Sequence, residues 1–301
     1  MQKIVVVQNL DLLSDQVVRL KKMGEAKIYD DVAESPEVWL DRCRGFDIIC
    51  TGNFGLRQKI YDLENVFVSL PLVGTGWMDI EKLKARSIKV ANSPGCNKDA
   101  VSEWIIGMTI NLLRDLPGYT NVAKQTEYVL PKRSFGLTGK RVCVLGAGNI
   151  GLRVGKICEV FDMKVNFFRQ GDNIIKSVAD ADIVINCLSQ NPTTVGLLGK
   201  DFFSSFKSGS YFISVTSSAI YDADALLLSL GKNILGTAID AGDARVGDAS
   251  DEFYQKLLSN RRILATPHIA FNTDVTARVA NDMMIDNIEA FLKGDPINLL
   301  W

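Results

Sequence analysis

Short runs of aliphatic and β-branched residues recur along the chain, and most are apolar nearly throughout instead of alternating with polar positions. Ile4–Val7, Phe46–Cys50, Val66–Leu70, Val142–Leu145, Val165–Phe168, Ile183–Asn186, Tyr211–Val215 and Ile263–Ala265 have this form. A strand with one face in water alternates. A run without alternation needs cover on both faces, as in a parallel sheet between two layers of helix. Segments of helical period separate the runs: Asp15–Lys22, Glu37–Cys43, Ala100–Arg114, Ile150–Phe161, Asp222–Leu230 and Glu252–Leu258. A last one, about Thr273–Leu292, stops at Gly294-Asp295-Pro296. This βαβα order predicts a doubly wound α/β architecture.

Two interruptions mark the organisation. Asn92-Ser93-Pro94-Gly95 punctuates the pattern before the long helix at Ala100–Arg114 and predicts a domain boundary near residues 92–100. The stretch Leu116–Thr138 carries Pro117, Gly118, Pro131 and Gly136 and reads as irregular, an arm suited to lie on another subunit.

A length of 301 residues fits two domains of ordinary size. Basic and acidic residues balance at 34 to 35, which removes any electrostatic case for nucleic acid or an anionic membrane as partner. The six cysteines form no C-x-x-C pair and there is one histidine, so the usual ligand sets for zinc cannot be assembled and no metal is expected. Cys50, Cys143 and Cys187 fall inside apolar strands, where cysteine acts as a small hydrophobe, and a reducing compartment such as the cytoplasm is expected. The apolar run in MQKIVVVQNL is too short for a signal peptide, and no stretch approaches eighteen apolar residues without charge, so no membrane span is expected.

The chemistry-bearing feature is Gly146-Ala147-Gly148-Asn149-Ile150-Gly151. It follows the strand RVCVL directly and opens the helix LRVGKICEVF. Gly146 allows a tight turn, Gly148 a close approach of backbone to a pyrophosphate, and Gly151 close helix–strand packing. The helix N-terminus adds unpaired N–H groups and partial positive charge. The competing account is a glycine-rich turn with no ligand. The next strand ends at Arg169, followed by Gln170 and Gly171, where NAD-binding sites place a carboxylate for the ribose hydroxyls. A guanidinium there matches a 2′-phosphate, so NADP is expected ahead of NAD. The other account is an exposed arginine at a strand end.

Five ordered segments together resemble the D-isomer-specific 2-hydroxyacid dehydrogenase family: Val73–Trp104, Leu137–Gly151, Asn191–Leu198, Tyr211–Leu226 and Ile263–Thr273. The resemblance implies two doubly wound parallel-sheet domains, one flavodoxin-like and one Rossmann, with an active-site cleft between them. It places the substrate domain at 1–97 plus 273–301 and the dinucleotide-binding domain at 98–272. It also implies a homodimer and a small 2-keto or 2-hydroxy acid as substrate. By the same resemblance, Val73 and Gly74 meet the substrate carboxylate through backbone N–H groups, and Asn149 and Ile150 lie at the pyrophosphate. Leu188, Ser189 and Thr194 line the cofactor, Val215 and Thr216 reach the nicotinamide, and Asp240 hydrogen-bonds its carboxamide.

His268, in Ala265-Thr266-Pro267-His268-Ile269-Ala270, is the expected proton donor, since reducing a carbonyl needs a group that titrates near neutral pH. Two further family positions depart from the pattern. Ser217 stands where the resemblance implies an arginine that binds the substrate carboxylate, and Arg245 stands where it implies a glutamate paired with the histidine. Serine brings no charge and no fork geometry, and a cation beside His268 would disfavour the imidazolium. A shift in the loop would instead bring Asp243 or Asp248 to the histidine. Three readings follow: Arg245 supplies the charge that Ser217 lacks, the substrate has no 2-carboxylate, or the chain is an NADP(H)-binding pseudoenzyme serving as redox sensor or scaffold. Catalysis by His268, Arg245 and Ser217 is the leading expectation.

Overall fold

The computed structural model describes residues 2–124, 134–240 and 246–301. The described residues form two compact units, Met1–Asn97 with Asn272–Trp301, and Lys98–Phe271.

In the first unit, β1 (Lys3–Val6), β2 (Glu25–Ile28), β3 (Ile48–Cys50), β4 (Phe67–Ser69) and β5 (Lys89–Ala91) make one parallel sheet in the order β2-β1-β3-β4-β5. This is the flavodoxin-like order. Successive strand residues point to opposite faces, and both faces are covered. Val5, Ile49, Val68 and Val90 face one cluster with Trp39, Leu56, Ile60 and Leu83. Ile4, Val6, Ile48, Cys50 and Phe67 face another with Leu20, Met284, Ile285 and Ile288 from the helices Ser14–Met23 and Asp274–Leu292. Two buried faces are why β1, β3 and β4 read as unbroken apolar runs.

The second unit holds β6 (Arg141–Leu145), β7 (Lys164–Phe168), β8 (Ile183–Asn186), β9 (Ser210–Ser214), β10 (Ile234–Asp240) and β11 (Ile263–Thr266), all parallel, in the order β11-β10-β9-β8-β6-β7. Cys143, Leu145, Val184, Phe212 and Ile239 face a cluster with Phe202, Phe203, Phe206 and Leu226. Val142, Val144, Ile183, Ile185, Ile213 and Ala238 face another with Val101, Ile105, Val154 and Cys158.

Three strands went unread in the sequence: β2, β5 and β10. β2 is an edge strand with an exposed–intermediate alternation, β5 has three residues, and β10 contains Gly236 at a register irregularity. The stretch from Leu116 was expected to be irregular, yet Leu116–Lys124 is helical. Pro117 sits in its first turn, where a missing N–H costs nothing. Residues 125–133, with Pro131 of that arm, lie outside the described residues.

Among the described residues, no helix is long and apolar enough to cross a membrane. The cysteines are free, and burial pushes the thiols of Cys43, Cys50, Cys143 and Cys158 up to about 12.

Candidate functional site

Because all strands of the second unit run the same way, their C-terminal ends share one edge of the sheet. The residues singled out in the sequence follow along that edge in spatial order. Arg169 follows β7, Gly146–Gly151 follow β6, Leu188–Thr194 follow β8, and Val215–Ser217 follow β9. Asp240 ends β10, and the His268 turn follows β11. The chain leaves β6 for β7 on one side and returns to β8 on the other, so the crevice of a doubly wound sheet opens between β6 and β8. Four strand spacings of about 4.8 Å put the glycine turn and the histidine turn about 19 Å apart along this edge.

The glycine turn is tight where it must be and open where a ligand would enter. Gly146 has φ +96°, and a Cβ there would come within 3.1 Å of the Cys187 carbonyl across the crevice. A Cβ on Gly151 would lie 2.0 Å from the Gly146 carbonyl and 3.2 Å from Val144 Cγ1. On Gly148 a Cβ would meet nothing within 4 Å. Gly148 is the N-cap of the helix Asn149–Val160, no described side chain caps it, and the first-turn N–H groups of Asn149 and Ile150 have no partner among the described residues. These residues fit a dinucleotide pyrophosphate: donors with no partner among the described residues, a helix N-terminus and no side chain at Gly148.

At the end of β7, Arg169 is exposed. Its backbone N–H donates to Asp172 Oδ2 at 2.7 Å, and the Asp172 N–H donates to the Arg169 carbonyl at 3.0 Å. The turn therefore carries a guanidinium and also a carboxylate folded back to the strand end. Sequence reading missed Asp172, because only the closed turn brings it there.

Between the two ends lies a buried polar network that sequence reading also missed. Asn186 Nδ2 donates to Thr216 Oγ1 at 2.8 Å and to Ser214 Oγ at 3.2 Å, with all three residues buried. Asn186 Oδ1 accepts from the Leu188 N–H. Thr194 Oγ1 donates to the Ser189 carbonyl at 2.7 Å and accepts from the Asn191 N–H, which knits the Ser189–Thr194 loop to itself. Ser217 Oγ accepts from the Ala219 N–H at 3.1 Å, closing a short turn after β9.

Asp240 is buried at 4% exposure and has its carboxylate in the turn after β11. Asp240 and Thr266 are register partners of β10 and β11. Oδ1 accepts from Thr266 Oγ1 and from the Ile269 N–H at 2.9 Å, and Oδ2 accepts from the Ala270 N–H at 3.0 Å. Asp240 therefore clasps both sides of His268. A carboxylate has about four acceptor positions, and the described residues fill three of them. His268 is half-buried with φ +55°, and its ring meets Phe271 edge-on at 5.5 Å. Arg245 and Asp243, proposed partners of this histidine, lie outside the described residues.

Val73 and Gly74 belong to the first unit, in the loop after β4. Both are exposed, and the Val73 carbonyl accepts from Asn92 Nδ2 at 2.8 Å.

The profile of the D-isomer specific 2-hydroxyacid dehydrogenase, NAD binding domain family matches residues 106–270. D-3-phosphoglycerate dehydrogenase of Escherichia coli (strain K12) is 28% identical over 240 residues, covering 73% of this chain and 58% of that protein. The chain thus spans well under two thirds of the length of that relative. Glycerate dehydrogenase of Methylorubrum extorquens is 23% identical, with 100% of this chain and 99% of that one covered. The fold is shared with an acyclic imino acid reductase (Bsp5) solved in complex with NADPH and D-Arg, at TM-score 0.85, 20% identity and coverage of 99% and 100%.

Proposed function

As the chain belongs to the D-isomer specific 2-hydroxyacid dehydrogenase family, we propose that it transfers hydride between a nicotinamide dinucleotide and the C2 carbonyl or hydroxyl of a small 2-keto or 2-hydroxy acid. The observation that carries this reading is the shared edge of the second unit's sheet, with an open glycine turn near one end and a clasped histidine at the other. When bound, the nicotinamide supplies or accepts the hydride. Gly146, Gly148, Asn149, Ile150 and Gly151 hold the pyrophosphate. Leu188, Ser189, Thr194, Val215 and Thr216 shape the channel, and Asp240 offers its remaining acceptor position. His268 gives a proton to the carbonyl oxygen in reduction and takes it back in oxidation. Ser217 contributes a hydroxyl and Arg245 a charge, while Val73 and Gly74 offer N–H groups to the carboxylate. A homodimer belongs to the same reading.

Arg169 supports NADP, and Asp172, held at the end of the same strand, supports NAD. Replacing Arg169 by Asp moves the kcat/KM ratio towards NADH if the guanidinium sets the preference, while Asp172→Ala moves it towards NADPH if the carboxylate does. A second reading, binding without turnover, is supported by Ser217, whose hydroxyl closes its own turn and brings no charge. An NADPH- and NADH-oxidation screen over glyoxylate, hydroxypyruvate, pyruvate, bulkier 2-keto acids and aldehydes separates the two. Turnover that His268→Ala abolishes supports the enzyme. Cofactor binding with no oxidation of any substrate supports the sensor or scaffold.

A further inference from the structure

We propose that Arg57, in the first unit, supplies a positive charge of its own, besides that given to Arg245, that grips the substrate carboxylate together with the N–H groups of the loop Val73–Gly76. This rests on the reading of the protein as a 2-keto acid reductase.

Arg57 follows β3 in the short helix Leu56–Lys59. Gly55 fixes the approach: at φ +72°, a Cβ there would run into the Trp39 ring at 2.2 Å, so the segment is seated directly on the core. The Arg57 side chain is exposed and lies over the Trp77 ring, with Cζ 5.1 Å from the ring centroid. Nearby cations are neutralised, Lys59 by Glu37 and Asp62, and Lys82 by Asp79. Arg57 pairs with no carboxylate among the described residues. Held by an aromatic face, a guanidinium keeps its planar fork of N–H donors for a carboxylate.

Trp77 belongs to the loop that the charge would serve. There the carbonyls are anchored: Leu72 accepts from the Ser93 N–H, Val73 from Asn92 Nδ2, and Thr75 from the Met78 N–H. The N–H groups of Val73, Gly74, Thr75 and Gly76 bond to no described residue. A Cβ on Gly74 or Gly76 would meet nothing within 4 Å, so the backbone at these two positions is open to an approaching ligand. Trp77 Nε1 is buried with no acceptor among the described residues, so the ring holds its place under the guanidinium without a polar anchor of its own. Backbone amides with no partner among the described residues, on a loop whose Trp77 ring carries a guanidinium that pairs with no described carboxylate, are the chemistry of an anion site.

Oxamate, a carboxylate analogue of 2-keto acids, probes this directly. Its binding to the NADPH-saturated full chain is followed by calorimetry for wild type, Arg57→Ala and Arg57→Lys. The expected result is binding to wild type, about ten- to hundredfold weaker binding to Arg57→Ala, an intermediate value for Arg57→Lys, and unchanged NADPH affinity and thermal midpoint. Equal binding by Arg57→Ala, or no binding by wild type, overturns the proposal. In turnover, Arg57→Ala raises KM for 2-keto acids without raising it for the aldehyde lacking the carboxylate. If wild type reduces 2-keto acids and Arg57→Ala keeps the same KM, the function stands and Arg57 fails. If oxamate binding depends on Arg57 but no 2-keto acid is reduced, the carboxylate site stands and the reductase reading fails.

Discussion

At φ +55°, His268 occupies a region that costs a residue with a side chain about 1–2 kcal/mol. Asp240 offsets that strain by accepting the N–H groups of Ile269 and Ala270 and the hydroxyl of Thr266. Asp240→Asn exchanges one acceptor for a donor facing donors. Urea denaturation is expected to show a loss of about 2 kcal/mol, and turnover to fall at least tenfold as the histidine turn loosens. His268→Gly removes the strain and the proposed proton donor together. Its stability is expected within about 1 kcal/mol of wild type or above it, with turnover down about 10²- to 10⁴-fold. The imidazole was legible in the sequence through the motif around it. The clasp was not, because Asp240 meets Thr266 only through the parallel register of β10 and β11. Asp172 was invisible for a similar reason: three residues past Arg169, it reaches back only after the turn has closed.

At the level of elements, the strand–turn–helix around Gly146–Gly151 was legible because each glycine has a separate steric reason to be there. That separation makes a test. Gly151→Ala drives a Cβ to 2.0 Å from the Gly146 carbonyl, so both stability and cofactor binding are expected to fall, the first by more than about 2 kcal/mol. Gly148→Ala meets open space, so stability should change by less than about 1 kcal/mol, while the dinucleotide, titrated by fluorescence, binds at least tenfold more weakly. Equal effects of the two substitutions would mean that Gly148 does not face the ligand. Where the reading failed, it failed on elements with weak local signals. β2 carries Glu25 and Lys27 on an edge, and the helix at Leu116–Lys124 hides behind Pro117 and Gly118.

Across the whole second unit, the two edges of the sheet do different work. The C-terminal edge carries the candidate site, and the opposite edge is tied by Asp182. Its Oδ2 accepts from the Arg141 N–H at 2.7 Å, and its Oδ1 takes the Lys207 ammonium. Burial works to raise the Asp182 carboxyl, but the bonds from Lys207 and the Arg141 N–H outweigh it and hold the group below its usual 3.8. A carboxyl lowered on folding stabilises the protein at pH values above its unfolded value, and this stability is lost as pH falls through the folded one. Asp182→Asn is therefore expected to cost about 1.5–3 kcal/mol at pH 7. The gap to wild type should close below about pH 4, with dinucleotide affinity unchanged throughout. Denaturation curves at pH 3 to 7 check both. The parallel, doubly covered architecture was legible from the unbroken apolar runs. The division of labour between its edges was not, since it depends on Asp182 reaching the start of a strand 41 residues earlier.

The thiols give the molecule a built-in clock. Cys43, Cys50 and Cys96 belong to the first unit, and Cys143, Cys158 and Cys187 to the second. Burial withholds the thiolate that alkylating reagents attack. Iodoacetamide pulses read by peptide mass spectrometry thus record how often each half opens, without a dye, a tag or a substitution.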